Sequence, residues 1–287
     1  MNALVRPLLA TALLLLLALP CVGSDAEPLV YLTGRLSDDD RALLAETAPN
    51  VEFLVDLSDE EALAQAPRLH GIDAHLLNGE ILAAAPNLRW VQSWSAGVTR
   101  YLDQIEGLRE ADDIVMTNMK GVHGPAIAEH VFAMLLSLTR DLDSFRQAQA
   151  KAEWDRDAGS GMTTLSGRTM LVVGMGGIGS EIARRAKGFD MKVLATVRTA
   201  RDAPEYCDEL GTAADLDRFL PLADVVAVAL PLTDETRGLF NADRFALMPE
   251  GSYFVNIGRG PIVDTDALVA ALQSGHLAGA ALDEEVL

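Results

Sequence analysis

Residues 165–199 read LSGRTMLVVGMGGIGSEIARRAKGFDMKVLATVRT, and this stretch decides the fold. An apolar run at 170–173 enters a GxGxxG turn, a helical pattern follows at 180–188, and a second strand-like run covers 191–197. A strand, a glycine turn, a helix and a strand within about 30 residues predict a dinucleotide-binding βαβ unit. The glycine turn and the positive end of the helix would hold a pyrophosphate. The residues predicted to bind it are Gly174, Gly176, Gly177, Ile178 and Gly179.

The end of the second strand indicates which cofactor binds. An NAD site places Asp or Glu about 20 residues beyond the glycines, where the carboxylate binds the ribose 2′-hydroxyl. Here that position is Val197, and it is followed by Arg198, Thr199 and Arg201. Because guanidinium groups bind phosphate well, we expect these residues to bind a 2′-phosphate. This favours NADP(H) and leaves NAD(H) possible; the alternative is that both arginines are solvated loop residues.

Composition limits the classes of partner. The chain has 287 residues, of which 49% are hydrophobic, and a formal net charge of −19. This length corresponds to roughly two domains. So acidic a surface repels nucleic acid and anionic membranes, and we expect neither as a partner. The two cysteines, Cys21 and Cys207, have no metal-ligand spacing around them, so no metal site is expected.

Residues 1–24 have the pattern of an export signal or an N-terminal anchor. Arg6 precedes an apolar run at 8–19, and the small residues Gly23 and Ser24 follow it. The apolar run is shorter than the roughly 20 residues that span a bilayer. We therefore expect an exported, periplasmic protein, or a cytoplasmic one if the start codon is mis-called. Export conflicts with the use of free NADP(H), which is a cytoplasmic cofactor.

Strand-like and helical segments alternate through the rest of the chain, which predicts parallel sheets covered on both faces. Residues 29–120 form a first α/β domain in this interpretation, with a short strand at 75–77. A long apolar helix at 126–142 crosses over to a dinucleotide-binding domain, which covers 121–287. The predicted fold class is α/β, with two Rossmann-like, doubly wound parallel-sheet domains and a cleft between them.

Local signals add further detail to this fold. Ser37 is a candidate N-cap for a helix that runs to about residue 48, and residues 265–273 have a helical pattern. Ligands of open α/β sheets bind at the carboxyl ends of the strands, so the turns after four strands should converge on one crevice. These turns carry Gly174, Pro231, Arg259 and Asp283.

Six blocks of sequence, in a fixed order from about residue 29 onward, carry a family resemblance. They read APNLRWVQSWSAGV, TNMKGVHGPAIAEHV, LVVGMGGIGSEIARRAKGFDMKV, VALPLTDETRGLFN, VNIGRGPIVDTDALVAAL and GHLAGAALD. In this order they are similar to the D-2-hydroxyacid dehydrogenases. Within that family, the arginine-rich end of the second strand most resembles the NADPH-preferring glyoxylate/hydroxypyruvate reductases. The resemblance implies an oxidoreductase that transfers a hydride between NAD(P)H and a small 2-keto or 2-hydroxy acid.

The resemblance also implies roles for single residues. Reduction of a 2-keto acid needs a cation that holds the carboxylate and polarises the keto oxygen, a hydride donor and a general acid. The family's NxxRG turn matches residues 256–260, so Arg259 takes the catalytic role, unless it is only a surface arginine at a strand end. The family loop that binds the substrate carboxylate through backbone N–H groups matches Ala96, Gly97 and Val98, which are otherwise a tight turn. The matching turns that contact the cofactor contain Pro231, Ile257, Gly258 and Asp283, with Asp283 binding the nicotinamide carboxamide.

One part of the family's pattern is missing from this chain. In the family, the strand that ends at Asp283 is followed by a glutamate and later by a histidine, which is the general acid. Neither Glu284 nor Glu285 stands at the matching spacing. No histidine does so either, and we expect surface, capping or structural roles for His70, His75, His123, His130 and His276.

We therefore expect a C-terminally truncated dehydrogenase with impaired turnover, whose first domain is incomplete at its C-terminus. The alternative is a non-catalytic, NAD(P)-binding protein that responds to its cofactor. The resemblance further implies a homodimer built on the helix at 126–142. The apolar residues Val131, Met134, Leu135 and Leu138 suit that role, and they would equally suit an ordinary core helix.

Overall fold

A computed structural model describes residues 27–283. The leader predicted at 1–24 lies outside the described residues, as do Glu284 and Glu285. The chain divides into two compact units with the boundary between Lys120 and Gly121. We call the described residues 27–120 unit 1 and the described residues 121–283 unit 2. Export of the protein stays a prediction.

Unit 1 is built from alternating strands and helices. Its strands are β1 (Leu29–Thr33), β2 (Val51–Val55), β3 (Gly71–Asp73), β4 (Trp90–Gln92) and β5 (Val115–Thr117). Its helices are α1 (Asp38–Thr47), α2 (Asp59–Gln65), α3 (Gly79–Ala84) and α4 (Thr99–Gln104), with a 3₁₀ turn at Ala66–Arg68. The strands form one parallel sheet in the order β2-β1-β3-β4-β5.

Local chemistry explains how unit 1 starts its first helices and fills its core. Ser37 caps α1 as the sequence predicts, because its side chain accepts a hydrogen bond from the Asp40 N–H while the Asp40 carboxylate accepts one from the Ser37 N–H. On the central strands, Leu32, Ile72 and Val91 are at most 1% exposed. Such continuous burial is typical of parallel strands that are covered on both faces.

The strand predicted at 75–77 is wrong. The strand is β3, which pairs Gly71 with Tyr31 of β1, and a turn at 74–76 follows it. Gly71 belongs in the strand because a Cβ there would lie 2.4 Å from the Tyr31 ring. The sequence favours the later position because glycine is unusual in strands, whereas only the packing of the Tyr31 ring requires it.

Unit 2 repeats the α/β alternation on a larger scale. Its strands are β6 (Thr169–Val173), β7 (Lys192–Val197), β8 (Glu209–Thr212), β9 (Val225–Val228), β10 (Ser252–Asn256) and β11 (Leu277–Leu282). Its helices are α5 (Gly124–Thr139), α6 (Leu142–Ala150), α7 (Gly177–Gly188), α8 (Leu216–Phe219), α9 (Ala242–Leu247) and α10 (Thr265–Gln273), with 3₁₀ turns at Ala213–Asp215, Leu220–Leu222 and Gly260–Ile262. All strands are parallel, in the order β11-β10-β9-β6-β7-β8.

The β6 run shows how one strand serves two cores. Val172 packs into the cluster that contains residues of α5 and α7, whereas Leu171 and Val173 pack into the cluster with residues of α8, α9 and α10. Alternate side chains of a strand point to opposite faces, so an uninterrupted apolar run is buried on both. The doubly wound fold predicted for this unit is confirmed.

The helix predicted at 126–142 is present, but it ends earlier than predicted. Helix α5 ends at Thr139, and α6 begins at Leu142. The break occurs at Asp141, whose φ of 50° is left-handed and cannot continue a helix. The Asp141 carboxylate compensates for the break by accepting hydrogen bonds from the Ser144 hydroxyl and the Gly159 N–H.

The burial of the apolar residues on α5 bears on the homodimer hypothesis. Val131 and Leu135 are fully buried in the core of unit 2, and Met134 and Leu138 pack against that core. These side chains therefore serve their own unit, and the homodimer stays a prediction. Over residues 27–283, no helix has both the length and the apolar character needed to cross a membrane.

Candidate active site

The carboxyl edge of the unit 2 sheet contains a topological switch point. Strand β6 lies between β7 and β9, and the chain leaves it toward opposite sides of the sheet. Gly174 follows β6 with a φ of +97°, and the next residue, Met175, donates its N–H to the Thr196 carbonyl on β7 at 2.8 Å. Crevices at such switch points bind the ligands of open α/β sheets.

The three fingerprint glycines have different surroundings. A Cβ on Gly174 would lie 2.9 Å from the Ala229 carbonyl oxygen, and one on Gly179 would lie 2.3 Å from the Gly174 carbonyl oxygen. A Cβ on Gly176 would meet no protein atom within 4 Å. Gly174 and Gly179 thus allow close packing, while Gly176 leaves the backbone open to a ligand. These residues fit a dinucleotide.

Helix α7 begins at Gly177, three residues earlier than the predicted start at Ser180. Its first turn therefore contains Gly177, Ile178 and Gly179, whose N–H groups have no acceptor four residues before them within the helix. Further along α7, the guanidinium of Arg185 and then that of Arg184 lower the pKa of Glu181. The pairing with these arginines offsets the carboxylate's repulsion of an anion near the helix start.

The segment after β7 lies next to the glycine turn. Arg198 and Thr199 are exposed, and Arg201 donates from Nη2 to the Met175 carbonyl oxygen at 2.7 Å. Arg201 therefore joins this segment to the residue between the first two fingerprint glycines. Its guanidinium has five N–H donors, so one such bond leaves others for an anion.

The turns after β9 and β10 lie against each other. A Cβ on Gly258 would lie 2.7 Å from the Leu230 carbonyl oxygen, so this close approach requires glycine. The neighbouring Pro231 has its carbonyl bound by the Thr236 hydroxyl at 2.8 Å. Arg259, flanked by the buried Gly258 and Gly260, is itself exposed. Its Nη1 donates to the Gly258 carbonyl oxygen at 2.7 Å, and the residue follows β10 at the carboxyl edge of the sheet, as the glycine turn follows β6.

Buried Asn256 shapes the turn that carries Arg259. Its Oδ1 accepts the Gly258 N–H at 3.0 Å, and its Nδ2 donates to the Arg259 carbonyl oxygen at 3.0 Å. Ile257, between them, is 7% exposed. At the end of the neighbouring β11, the Asp283 N–H donates to the Asn256 carbonyl oxygen at 3.1 Å. The backbones of both predicted site residues, Arg259 and Asp283, are thus anchored on Asn256.

The loop predicted to bind the substrate carboxylate lies at the carboxyl edge of the unit 1 sheet, after β4. Gly97 is exposed, and Ala96 and Val98 are half-buried. The Asn118 side chain donates to the Ala96 carbonyl oxygen at 2.8 Å, and the Met119 N–H donates to the Ser95 carbonyl oxygen at 3.2 Å. The other predicted site residues belong to unit 2.

Comparison with known proteins supplies the class of chemistry. A sequence profile described as the NAD-binding domain of D-isomer specific 2-hydroxyacid dehydrogenases matches residues 132–285. The glyoxylate/hydroxypyruvate reductase B of Citrobacter koseri is 34% identical over 266 residues, which are 90% of this chain and 80% of that one. The chain belongs to the D-isomer specific 2-hydroxyacid dehydrogenase family.

Solved structures agree with this assignment. A family member from Aeromonas salmonicida is 33% identical with a TM-score of 0.79, and the match covers 90% of this chain and 82% of that one. A family member from Xanthobacter autotrophicus, in complex with NADPH and MES, is 27% identical with a TM-score of 0.72, covering 91% and 82%. As a member of this family, the chain is an NAD(P)-dependent hydroxyacid oxidoreductase.

Sequence reasoning missed several residues that shape the family's site in this chain. Asn256 lies in the NxxRG turn but was not given a role, and Thr236 and Asn118 had no signal beyond their position in the matching blocks. His130 was expected to have only a surface, capping or structural role, and its Nε2 lies 3.2 Å from Asp283 Oδ1. Such contacts join residues that are far apart in sequence, so no local sequence pattern predicts them.

Two other histidines have structural partners. His276 Nε2 lies 2.9 Å from the Phe245 carbonyl oxygen, and His70 Nδ1 accepts the Val30 N–H at 3.1 Å. Burial raises the pKa of the Cys207 thiol, which keeps it protonated and unreactive. Between residues 27 and 283, no three His, Cys, Asp or Glu side chains are grouped as metal ligands.

Proposed function

We propose that this dehydrogenase reduces a small 2-keto acid, glyoxylate or hydroxypyruvate, to the corresponding 2-hydroxy acid with NADPH. The observation that carries the proposal is the exposed Arg259, which follows β10 at the same sheet edge as the Gly174 turn and whose backbone is held by Asn256. The reductase from Citrobacter koseri supports the choice of substrate. The arginines after β7 and the NADPH held by the Xanthobacter autotrophicus protein support the choice of cofactor.

The residues act through charge and hydrogen bonding. When bound, NADPH would supply the hydride, and solvent water would supply the proton that completes the 2-hydroxyl group. The Arg259 guanidinium would bind the keto oxygen and stabilise the negative charge that develops on it. Arg198 and Arg201 would hold the 2′-phosphate, and the N-terminus of α7 would hold the pyrophosphate. No residue between 27 and 283 is assigned as the general acid.

The test is NADPH oxidation by the full chain with glyoxylate and with hydroxypyruvate, beside a titration of NADPH binding. Arg259→Ala is expected to lower turnover about 100-fold, the usual cost of removing one group that stabilises an oxyanion. Arg146→Ala removes an exposed arginine on α6 and is the control. Unchanged turnover in Arg259→Ala would reject the assignment.

The same experiment separates the two functions. NADPH binding without turnover of either acid would favour a non-catalytic, cofactor-responsive protein. Turnover with either acid would exclude that function. If the full chain bound neither NADPH nor NADH, both functions would be rejected.

A further inference from the structure

His130 and Asp283 lie far apart in sequence and meet at the carboxyl edge of the unit 2 sheet. His130 belongs to α5, and Asp283 follows β11 directly. The His130 Nε2 lies 3.2 Å from Asp283 Oδ1, and the two side chains are 52% and 43% exposed. The Asp283 backbone is fixed separately by its bond to the Asn256 carbonyl. The histidine therefore acts on the carboxylate alone.

The packing of α5 on β11 accounts for this pairing. Near the start of β11, Gly279 lies under Leu138, since a Cβ on Gly279 would be 3.4 Å from the Leu138 methyl groups. From Leu138 back to His130 the helix covers about 12 Å. From Gly279 to Asp283 the strand covers about 13 Å. The helix and the strand run in opposite directions over similar distances, and this brings the two side chains together.

The contact restricts the orientation of the Asp283 carboxylate. An exposed aspartate at the end of a strand samples several rotamers, and a donor on one side selects among them. A hydrogen bond between them requires the imidazole proton to be on Nε2. An exposed side-chain pair of this kind adds little stability, so we expect its effect to be on geometry. Within residues 27–283, the side chain found at the Asp283 carboxylate is that of His130, which faces Oδ1 and leaves Oδ2 for a ligand.

We propose that His130 is a positioning residue, which holds Oδ1 of Asp283 so that Oδ2 accepts the N–H of the nicotinamide carboxamide. The inference rests on the proposed function, because it assumes that a nicotinamide cofactor binds at this edge. It goes beyond that function by assigning the recognition of the carboxamide to a pair of residues.

The test compares two cofactors in titrations with the full chain. One is NADPH, and the other is its 3-acetylpyridine analogue, whose acetyl group has no N–H to donate. We expect His130→Leu to weaken NADPH binding about two- to fivefold, the range for an exposed ion pair, and to leave binding of the analogue unchanged. His130→Gln, which keeps a donor, is expected to restore most of the preference. His75→Leu replaces an exposed histidine of unit 1 and is the control.

A second set of variants identifies the partner. Asp283→Ala should remove the preference for NADPH over the analogue, and adding His130→Leu to it should have no further effect. Equal weakening of both cofactors by His130→Leu would reject the proposal, because it would mean that the histidine only supports the fold. An unchanged preference would also reject it. Failure of the unmodified chain to bind NADPH would instead reject the proposed function.

Discussion

The Gly258 N–H donates a hydrogen bond to Oδ1 of Asn256 at 3.0 Å, and both residues are buried. The other end of the same amide holds the Arg259 carbonyl, and the Asn256 main chain holds Asp283. One buried amide therefore determines the path of the backbone around the residue that we expect to bind the keto oxygen. A salt bridge could not replace it, because the turn offers one N–H and one carbonyl.

Replacement of Asn256 by alanine leaves the buried Gly258 N–H without its acceptor. We expect Asn256→Ala to lower the free energy of unfolding by about 1–3 kcal/mol and to lower turnover, because the Arg259 turn loosens. Denaturant unfolding and NADPH oxidation measure the two effects. Asn256→Asp keeps the acceptor and should recover part of the stability. Asn87→Ala removes an exposed amide that donates to the Pro67 carbonyl, and a loss in Asn256→Ala no larger than in this control would contradict the prediction.

The fingerprint glycines provide a matched pair of substitutions. Gly176→Ala adds a methyl group where no protein atom lies within 4 Å, so stability should change by less than about 0.5 kcal/mol while NADPH binding weakens about tenfold or more. Gly179→Ala places its methyl 2.3 Å from the Gly174 carbonyl oxygen and should cost about 1–3 kcal/mol. Thermal unfolding and cofactor titration distinguish the two. NADPH binding by Gly176→Ala at the unmodified strength would argue against a pyrophosphate at this turn.

Substitutions at the two ends of β7 test whether the protein prefers NADPH to NADH. Arg198→Ala is expected to weaken NADPH binding about tenfold and to leave NADH binding unchanged, because only NADPH has the 2′-phosphate. Lys192→Ala removes an exposed cation from the amino end of the same strand and should change neither. Titrations of each variant with NADPH and with NADH measure the ratio of the two dissociation constants. Parallel losses for NADPH and NADH would mean that Arg198 does not recognise the phosphate.

Unit 1 has a buried tyrosine whose ionisation should destabilise the fold. Burial, together with the Asp73 carboxylate that accepts the Tyr31 hydroxyl at 2.8 Å, raises the pKa of Tyr31 well above its ordinary value. In the unfolded chain this pKa is about 10, so above it only the folded state retains the proton. The stability contributed by the protonated hydroxyl is therefore complete below about pH 10 and is lost as the pH rises further.

Tyr31→Phe removes both the hydrogen bond and this dependence on pH. We expect a loss of about 0.5–1.5 kcal/mol at neutral pH and a shallower decline of stability above about pH 10. Denaturant unfolding can be followed by Trp90, whose ring centroid lies 5.1 Å from that of Tyr31. Tyr206→Phe, in unit 2, is the control. Equal slopes for Tyr31→Phe and the unmodified chain would show that the Tyr31 proton does not stabilise unit 1.

The elements that the sequence predicts well have strong local signals. The helix at Thr265–Gln273 has the predicted bounds, because Asp264 caps it and an apolar face follows. Strands β5 and β8 were not predicted. The exposed or half-buried residues of β5, such as Val115, lack the continuous apolar run of a central strand. Both strands lie at the edges of their sheets, where pairing with the neighbouring strand, rather than the residues' own composition, stabilises the extended backbone.

The sequence by itself determined the alternation of strands and helices, the glycine turn and the family, because each is written in residues that are close together in the chain. The tertiary structure alone decided that α5 ends at Thr139, that β3 begins at Gly71 and that His130 meets Asp283. Each of these depends on side chains that pack from distant segments. The free energy of such contacts exceeds the small local preferences that a sequence pattern can express.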